Sequence, residues 1–508
     1  MSAVNCKTVT SAVLSALGAF LFGLDIGYIA PILECASFKR DVAHITDPKV
    51  KISDAVEGFV VGSFSIGCIV TSFPVVSGYF MEEWGRRDSI ILGTATFLVG
   101  CVVQACANTI NTMLAGRFIA GMSIGLLSPV VALYHSEVAP TSARGALSSL
   151  YQLMITLGIL VASLVDTGLV EKDGGWRWAI GMQVVPAMVL VAGMPLLPRS
   201  PRWLVHRGRI EEAREAMLAM RETEEEARRE LDEVIASAQK EHAKVKVSSH
   251  EYMDHLTTRL IVIGVGLQLL QQLVGMNAFM YFGPRMFGDM GLNENKFQVI
   301  INLLNFLMTW PAIFLSDICG RRFLLWTGAL AMLVSCLGMG FLGTLVLKTG
   351  QDAQEPVQYC MVGLVFTFVA AFAATWGPTV WVYNAEIFPQ KHRAWCMGLT
   401  TTANWIGNWV IAQFTPVMLG ALGFGTFFVF GFFTGAALLL ALWLPETKGI
   451  MLEHMERIFR DKLGLGQDPR SRLECGEPAY GATTSSASAS VSAASLPAAA
   501  DRPAAGGG

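Results

Sequence analysis

The sequence predicts an all-α polytopic membrane protein, with twelve transmembrane helices in two six-helix bundles joined by a cytoplasmic helical insert. Three observations carry that prediction. Hydrophobic residues make up 53% of the chain and charged residues only 15%, whereas soluble domains carry about 25% charge. Apolar windows of about twenty residues, the length that crosses a bilayer, recur twelve times. Two unrelated short motifs then recur in the same order in the second half.

The windows fall near 10–32, 57–81, 88–107, 110–134, 146–167, 176–197, 257–286, 296–317, 322–346, 357–383, 395–420 and 424–444. No basic stretch followed by a short apolar run and a small-residue cleavage site opens the chain, so the first window reads as a retained span. It includes SALGAFLFGLDIGYIAPI, residues 15–32, with Asp25 near its middle. An acid inside a span costs at least about 2.5 kcal/mol, so it marks by default an ion pathway or proton relay and calls for a partner.

After the sixth window comes a polar stretch containing RIEEAREAMLAMRETEEEARRELDEVIASAQKEHAKV. Its Glu and Arg residues at i, i+3 and i+4 suit solvated helices lying on a membrane face. Most Lys and Arg fall in this insert, the even-numbered loops and the tails, which places both termini in the cytoplasm. Beyond Phe459 the chain is rich in Ala, Ser, Gly and Pro. Such a composition buries too little apolar area to offset its ordering entropy and reads as a disordered cytoplasmic tail. The expected domains are therefore residues 1–198, the first bundle; 199–256, the linker; 257–459, the second bundle with an end helix; and 460–508, the tail.

The net charge of −3 excludes little, since the placement of cations matters more than their sum. The ten cysteines form no CxxC or Cys/His metal spacing, and Cys68, Cys101, Cys106 and Cys336 fall inside apolar runs. Reduced, buried thiols are expected, with no disulfide framework, metal site or cofactor. No phosphate-binding loop or nucleophile constellation marks an enzyme.

The repeat is explicit. Gly85-Arg86-Arg87 follows the second window and Gly320-Arg321-Arg322 the eighth; Glu137-x-x-Pro140-x-x-x-Arg144 follows the fourth and Glu386-x-x-Pro389-x-x-x-Arg393 the tenth. Parallel six-helix repeats of this kind build one large class of secondary transporters around a central cavity. The repeated charges sit at cytoplasmic helix ends, where Arg can pair with acids and with C-terminal carbonyls. They read either as topology determinants or as an inter-helix latch that gates the cytoplasmic side.

A wider set of motifs resembles the sugar porters of the major facilitator superfamily: FGLDIG (22–27), GRFIAGMSIG (116–125), LYHSEVAP (133–140), PRSPRWL (198–204), QQLVGMNAFMYF (271–282), WGPTVWVYNAEIFP (376–389) and PETKG (445–449). The resemblance runs from about Gly18 to Phe459 and implies the major facilitator fold. Some positions depart from the pattern. The usual Asp-Arg-x-Gly-Arg-Arg reads Glu82-Glu83-Trp84-Gly85-Arg86-Arg87, the usual Pro-Glu-Ser-Pro-Arg reads Pro198-Arg199-Ser200-Pro201-Arg202, and the loop after the eighth window has Asp317-Ile318-Cys319 without its basic residue. The first two changes are complementary in charge, so Glu83 and Arg199 are expected to pair.

A sugar presents hydroxyls that donate and accept, so its site needs amides that do the same and an aromatic face for its C–H side. Gln271, Gln272 and Asn277 share the seventh window; at about 100° per residue Gln271 and Asn277 lie about 120° apart, with Gly275 between them to loosen the helix. Gln152, Asn305, Asn404 and Asn408 are further amides in apolar windows. The resemblance implies that Gln152, Gln271, Gln272, Asn277, Asn305 and Asn404 hold the sugar hydroxyls, with Asn408 a weaker member. It also implies Trp381 as the floor of the site and Phe22, Ile26 and Ile159 as its apolar wall. Trp376 and Trp405 read equally as packing or lipid-facing residues. Tyr281 and Phe282 resemble the aromatic pair that closes the external side.

Arg117 opens the fourth-window motif inside an apolar run and is the natural partner of Asp25. In the proton-coupled sugar porters of plants, algae, fungi and bacteria an Asp of the first span pairs with an Arg of the fourth, while mammalian facilitative transporters carry Asn at the acid position. The resemblance thus implies symport of a proton with a monosaccharide, a hexose such as glucose, by alternating access. Competing readings are an uncoupled uniporter, a polyol or cyclitol transporter, and a sugar sensor. The expected partners are the sugar and the lipid bilayer, with no nucleic acid; the expected setting is the plasma membrane and the expected state a monomer.

Overall fold

The computed structural model describes residues 6–47, 50, 52–138, 144–169, 172–221, 223–247, 255–289, 293–345, 355–388, 393–448 and 458–464. The motif residues Pro140 and Pro389, the side chain of Arg144 and the tail from residue 465 lie outside them.

Every apolar window forms a helix, and several are interrupted where the sequence supplies a reason. The first span is α1 (Cys6–Glu34), followed by a short α2 (Ala36–Asp41). The second is α3 (Asp54–Ser72) and α4 (Pro74–Glu83); Pro74 cannot donate to the preceding turn, and the chain steps out at Phe73. Then come α5 (Gly85–Ala105), α6 (Ile110–Val138) and α7 (Arg144–Leu169), with the sixth span split into α8 (Gly175–Gly181), α9 (Val184–Gly193) and the 3₁₀ turn Met194–Leu196. The insert is α10 (Pro201–His206), α11 (Ile210–Met220) and α12 (Glu224–Val247).

The seventh span breaks into α13 (His255–Leu273) and α14 (Met276–Asp289). Gly275 sits at the break with φ of 96°, a left-handed conformation that glycine adopts without a Cβ clash. The second half continues with α15 (Glu294–Cys319), α16 (Arg321–Leu345), and α17 (Glu355–Ala371) and α18 (Gly377–Ile387) separated by a turn of π-helix over Phe372–Trp376. It ends with α19 (Arg393–Leu422), the 3₁₀ turn Gly423–Gly425, and α20 (Thr426–Trp443).

Among the described residues ten stretches are long and apolar enough to cross a membrane, and the last of these, Trp395–Trp443, holds both α19 and α20. With α15, whose 26 residues span about 39 Å, the spans number twelve. Large apolar side chains such as Phe314, Phe432 and Leu439 are exposed on outward faces, as expected where the solvent is lipid.

Tight helix contacts rest on small residues, the packing that membrane spans favour. A Cβ on Gly27 would meet the Ile159 backbone of α7, and one on Gly158 would lie 2.9 Å from the Leu24 nitrogen of α1. Within the first half α1 packs on α6 and α7, α3 on α6, and α5 on α6; in the second, α13 packs on α19 and α16 on α17 and α20. The halves meet where α3 lies along α19, α7 along α15 and α1 against α14. The insert docks on the first half: Thr8 donates to the Met220 carbonyl at 2.6 Å, and Arg221 holds both Glu230, at 2.7 Å, and the Val138 carbonyl. Its exposed i, i+4 pairs, such as Glu224 with Arg228, contribute about 0.3–0.5 kcal/mol each.

All eight described cysteines are free. Cys68, Cys101 and Cys336 are buried, as expected, but Cys106 is exposed, because it caps α5 at the end of its run rather than sitting within the helix.

Candidate functional site

One cavity between the halves gathers residues from seven spans. Of the eleven residues expected to bind substrate, ten line it: Phe22 and Ile26 from α1, Gln152 and Ile159 from α7, Gln271 and Gln272 from α13, Asn277 from α14, Asn305 from α15, Trp381 from α18 and Asn404 from α19. Asn408 lies outside the lining. It is one turn beyond Asn404, and its Oδ1 accepts from Ser65 at 3.2 Å and from Tyr281 at 2.9 Å, tying α3, α14 and α19 together.

The amides form a network. Asn404 Nδ2 donates to Gln271 Oε1 at 2.9 Å and to Gln268 Oε1 at 2.6 Å, Gln272 Nε2 donates to Asn404 Oδ1 at 2.9 Å, and Asn277 Nδ2 donates to Gln272 Oε1 at 2.6 Å. Gln271 Nε2 donates in turn to the carbonyls of Trp376 and Gly377, at 2.9 and 3.0 Å. Those carbonyls lie where the π-turn passes into α18, and the wider winding there changes the ordinary i to i+4 ladder; inside a span such groups need partners from elsewhere. Neutral amides that both donate and accept can exchange such bonds for a ligand's hydroxyls at little electrostatic cost.

The aromatic part differs in detail from the sequence reading. Trp376 is a packing residue, fully buried, its Nε1 donating to the Leu325 carbonyl at 2.7 Å. Trp405, by contrast, lines the cavity and meets Phe22 edge to face at 5.1 Å. Tyr151, Thr156, Ser128, Met276, Met280 and Phe372 also line it, none of which the sequence singled out. Tyr281 and Phe282 pack edge to face at 6.2 Å, both buried, and lie outside the lining.

Asp25 and Arg117 lie side by side in the first half, each side chain 1% exposed, with Arg117 Nη2 3.5 Å from Asp25 Oδ2. Arg117 is anchored independently of the acid: its Nε donates to the Val60 carbonyl at 2.8 Å and its guanidinium lies 5.4 Å from the Phe64 ring. The acid therefore shares α1 with Phe22 and Ile26 of the cavity wall.

The repeated motifs tie helices within each half. Gly85 and Gly320 both have positive φ, 81° and 88°. Arg86 pairs with Glu137 at 2.8 Å and Arg321 with Glu386 at 3.0 Å. Arg87 donates to the Pro195 and Leu197 carbonyls and Arg322 to that of Leu442, so each second arginine caps the end of its half's last helix. Arg393 donates to the Phe388 carbonyl at 3.4 Å. The expected pairing of Glu83 with Arg199 is not what forms: Glu83 pairs with Arg207 at 2.9 Å and Arg199 with Asp88 at 2.7 Å. Several opposite charges lie within reach on this surface, and each change found a nearer partner. At the other end of the bundle Arg285 of α14 joins the halves, 2.8 Å from Asp54 and 3.2 Å from Glu57 of α3. The sequence reading missed this bridge.

The family model described as "Sugar (and other) transporter" matches residues 11–459, and the chain belongs to that family. It is thus an integral membrane transporter and not an enzyme. The galactose-proton symporter of Escherichia coli strain K12 is 37% identical over 452 residues, covering 87% of this chain and 92% of that protein. The arabinose-proton symporter of the same strain is 34% identical over 468 residues, covering 91% and 94%. Among solved structures, the proton:xylose symporter XylE bound to 6-bromo-6-deoxy-D-glucose aligns with a TM-score of 0.74 at 27% identity, covering 89% of this chain and 99% of that one. The architecture is the twelve-helix major facilitator fold.

Proposed function

We propose that the protein carries a monosaccharide, a hexose such as glucose or galactose, together with a proton across the plasma membrane by alternating access, with the amide cavity as the sugar site and Asp25 as the proton site. The observation that carries this reading is the placement of a buried acid and its arginine on the helix that also supplies Phe22 and Ile26 to the cavity wall. The relatives named for galactose-proton and arabinose-proton symport support it.

In the ionised state Asp25 and Arg117 hold α1 against α6. A carboxylate in a low dielectric that loses its cation takes up a proton. With the charge gone the ion pair is gone, and α1 is free to settle against the apolar side of the sugar through Phe22 and Ile26. Proton and sugar then favour the same conformation, so each raises the affinity for the other. Amides of Gln152, Gln271, Gln272, Asn277, Asn305 and Asn404 exchange hydroxyl hydrogen bonds, and Trp381 supplies the flat apolar contact. Tyr281, Phe282 and the Arg285 bridge close one mouth. The motif arginines Arg86, Arg87, Arg321 and Arg322, with Glu137, Glu386 and Arg393, hold the helix ends at the face carrying the insert, which is assigned to the cytoplasm together with both termini. The functional unit is assigned as a monomer of the four segments expected above.

Uptake of a panel of hexoses, pentoses and polyols into proteoliposomes, with and without an inward proton gradient, tests the reading. Wild type should accumulate a hexose against its gradient only when the proton gradient is present, and Asp25→Asn should equilibrate it without accumulation. Accumulation by the Asp25→Asn variant would refute the proton site, and preference for a pentose such as arabinose would move the cargo assignment.

A further inference from the structure

Between Asp25 and Arg117 stands a third group. Tyr28, one turn along α1 from Asp25, is buried, and its hydroxyl touches three partners: Asp25 Oδ1 at 3.0 Å, Arg117 Nη1 at 3.1 Å, and Gln104 Oε1 of α5. A phenol has one proton to donate. Arg117 donates to its oxygen, so that single proton is left for one of two acceptors, the carboxylate of Asp25 or the amide oxygen of Gln104. Gln104 Nε2 is turned to the Gly116 carbonyl at 3.5 Å, which keeps Oε1 toward the phenol.

We propose that Tyr28 is a positioning residue for the coupling proton: its hydroxyl donates to Asp25 while that acid is ionised and turns to Gln104 once the acid is protonated. The inference rests on the proton-coupled reading above and adds to it the residue that reports the state of Asp25 to α5.

The chemistry sets the order of preference. An ionised carboxylate is the stronger acceptor, about twice as strong as a neutral one, so it holds the phenol proton while charged. A neutral carboxyl group is a poorer acceptor than an amide oxygen, so the phenol then rotates to Gln104. The O–H bond of Tyr28 stays intact while its hydrogen bond passes from Asp25 to Gln104; the only proton that changes owner is the coupling proton, which arrives on Asp25 and later leaves it. Asp25 Oδ2 accepts no hydrogen bond and meets Arg117 only through the 3.5 Å ion pair that protonation releases, so it is the oxygen left for that proton. Arg117 stays in place through either state because Val60 holds it.

The groups that face Asp25 are few. Besides Arg117 from α6 and Tyr28 itself, the titratable side chains close enough to interact electrostatically with it are the thiols of Cys68 on α3 and Cys101 on α5 and the phenol of Tyr281 on α14. The α7 residues that meet α1 here, Ile155, Gly158, Ile159 and Ala162, carry no ionisable group.

The test needs no ligand. In the purified full-length protein, the protonation of Asp25 is read by infrared spectroscopy as the carboxylic C=O band that rises on acidification and is missing from Asp25→Asn. Tyr28→Phe removes a donor to the ionised acid, so its midpoint should rise by about one pH unit. Gln104→Met removes the competing acceptor and should move the midpoint the opposite way. The double variant should match Tyr28→Phe alone, because Gln104 acts only through the phenol. Shifts of the same sign, unmoved midpoints, or a double variant equal to the two shifts combined would overturn the role of Tyr28. Absence of any titrating band that Asp25→Asn removes would instead overturn the proton site on which the inference rests.

Discussion

The two halves of the bundle turn the same corner with the same three residues and finish it differently. In the second half Glu446 reaches the backbone N–H groups of Arg321 and Arg322, at 2.8 and 3.0 Å, and caps the start of α16. Gly320 lies close against that carboxylate, 2.9 Å separating its would-be Cβ from the carboxyl carbon. In the first half the corresponding position holds Arg199, a cation, which cannot cap. It turns away to Asp88 in the first turn of α5, and the ring of Trp203 covers Gly85 instead. What both halves keep is the arginine–glutamate tie between neighbouring helices. The comparison teaches that the tie is the shared element and the cap is replaceable, provided an insert helix supplies apolar cover and an acid offsets the cation near a helix N-terminus.

A second contrast lies deeper. The first half buries a charged pair; the residue 249 positions beyond Arg117, in register with the Glu137 and Glu386 repeat, is Phe366. The buried polar side chains described in the second half are neutral, amides and hydroxyls. Breaking this contrast should have the largest effect. Arg117→Leu leaves Asp25 buried beside no cation and should lower stability by about 3–5 kcal/mol, read as a fall in the melting temperature; Asp25→Asn in the same background should recover much of it.

Next in size is the amide core. Asn404→Leu leaves Gln268, Gln271 and Gln272 without their shared partner, at a cost of about 1–3 kcal/mol per unsatisfied group. Affinity for the transported sugar measured by calorimetry should fall at least about tenfold, while the Asp25 infrared titration stays at its wild-type midpoint. A moved midpoint would mean that charge and recognition are not divided between the halves.

The cap gives the smallest effect. Glu446→Ala should cost about 1 kcal/mol, whereas Arg199→Ala, which removes a half-exposed ion pair, should change stability by less than about 1 kcal/mol. Equal losses in thermal melts would dissolve the distinction drawn between the two corners.

The spans, the repeat and the buried acid were legible in the sequence because each rests on a property that a membrane makes expensive. Charges and amides inside apolar windows stand out, which is why Asp25, Arg117 and the six cavity amides could be named; Phe22, Ile26, Ile159 and Trp381 were reached only through the family resemblance. Trp405, Tyr151 and Thr156 could not, since an aromatic or a threonine in a span is written the same way whether it packs or lines a cavity. Tyr28 was hidden for the same reason: a phenol one turn from an acid gives no signal until Gln104, 76 residues away, is brought beside it. The Arg285 bridge joins residues 228 and 231 positions apart, and no local pattern predicts it. Charge complementarity predicted that Glu83 and Arg199 would find partners, but not which of several nearby ones.

The break at Gly275 makes α14 a lever. Arg285 lies ten residues from the break, about 15 Å along the axis, and Asn277 only two, about 3 Å. A tilt of about 10° at the glycine carries Arg285 about 2.5 Å, enough to part it from Asp54 and Glu57, yet moves Asn277 by only about 0.5 Å, within the slack of its bond to Gln272. One backbone conformation thus lets a mouth open while the floor beneath it stays set.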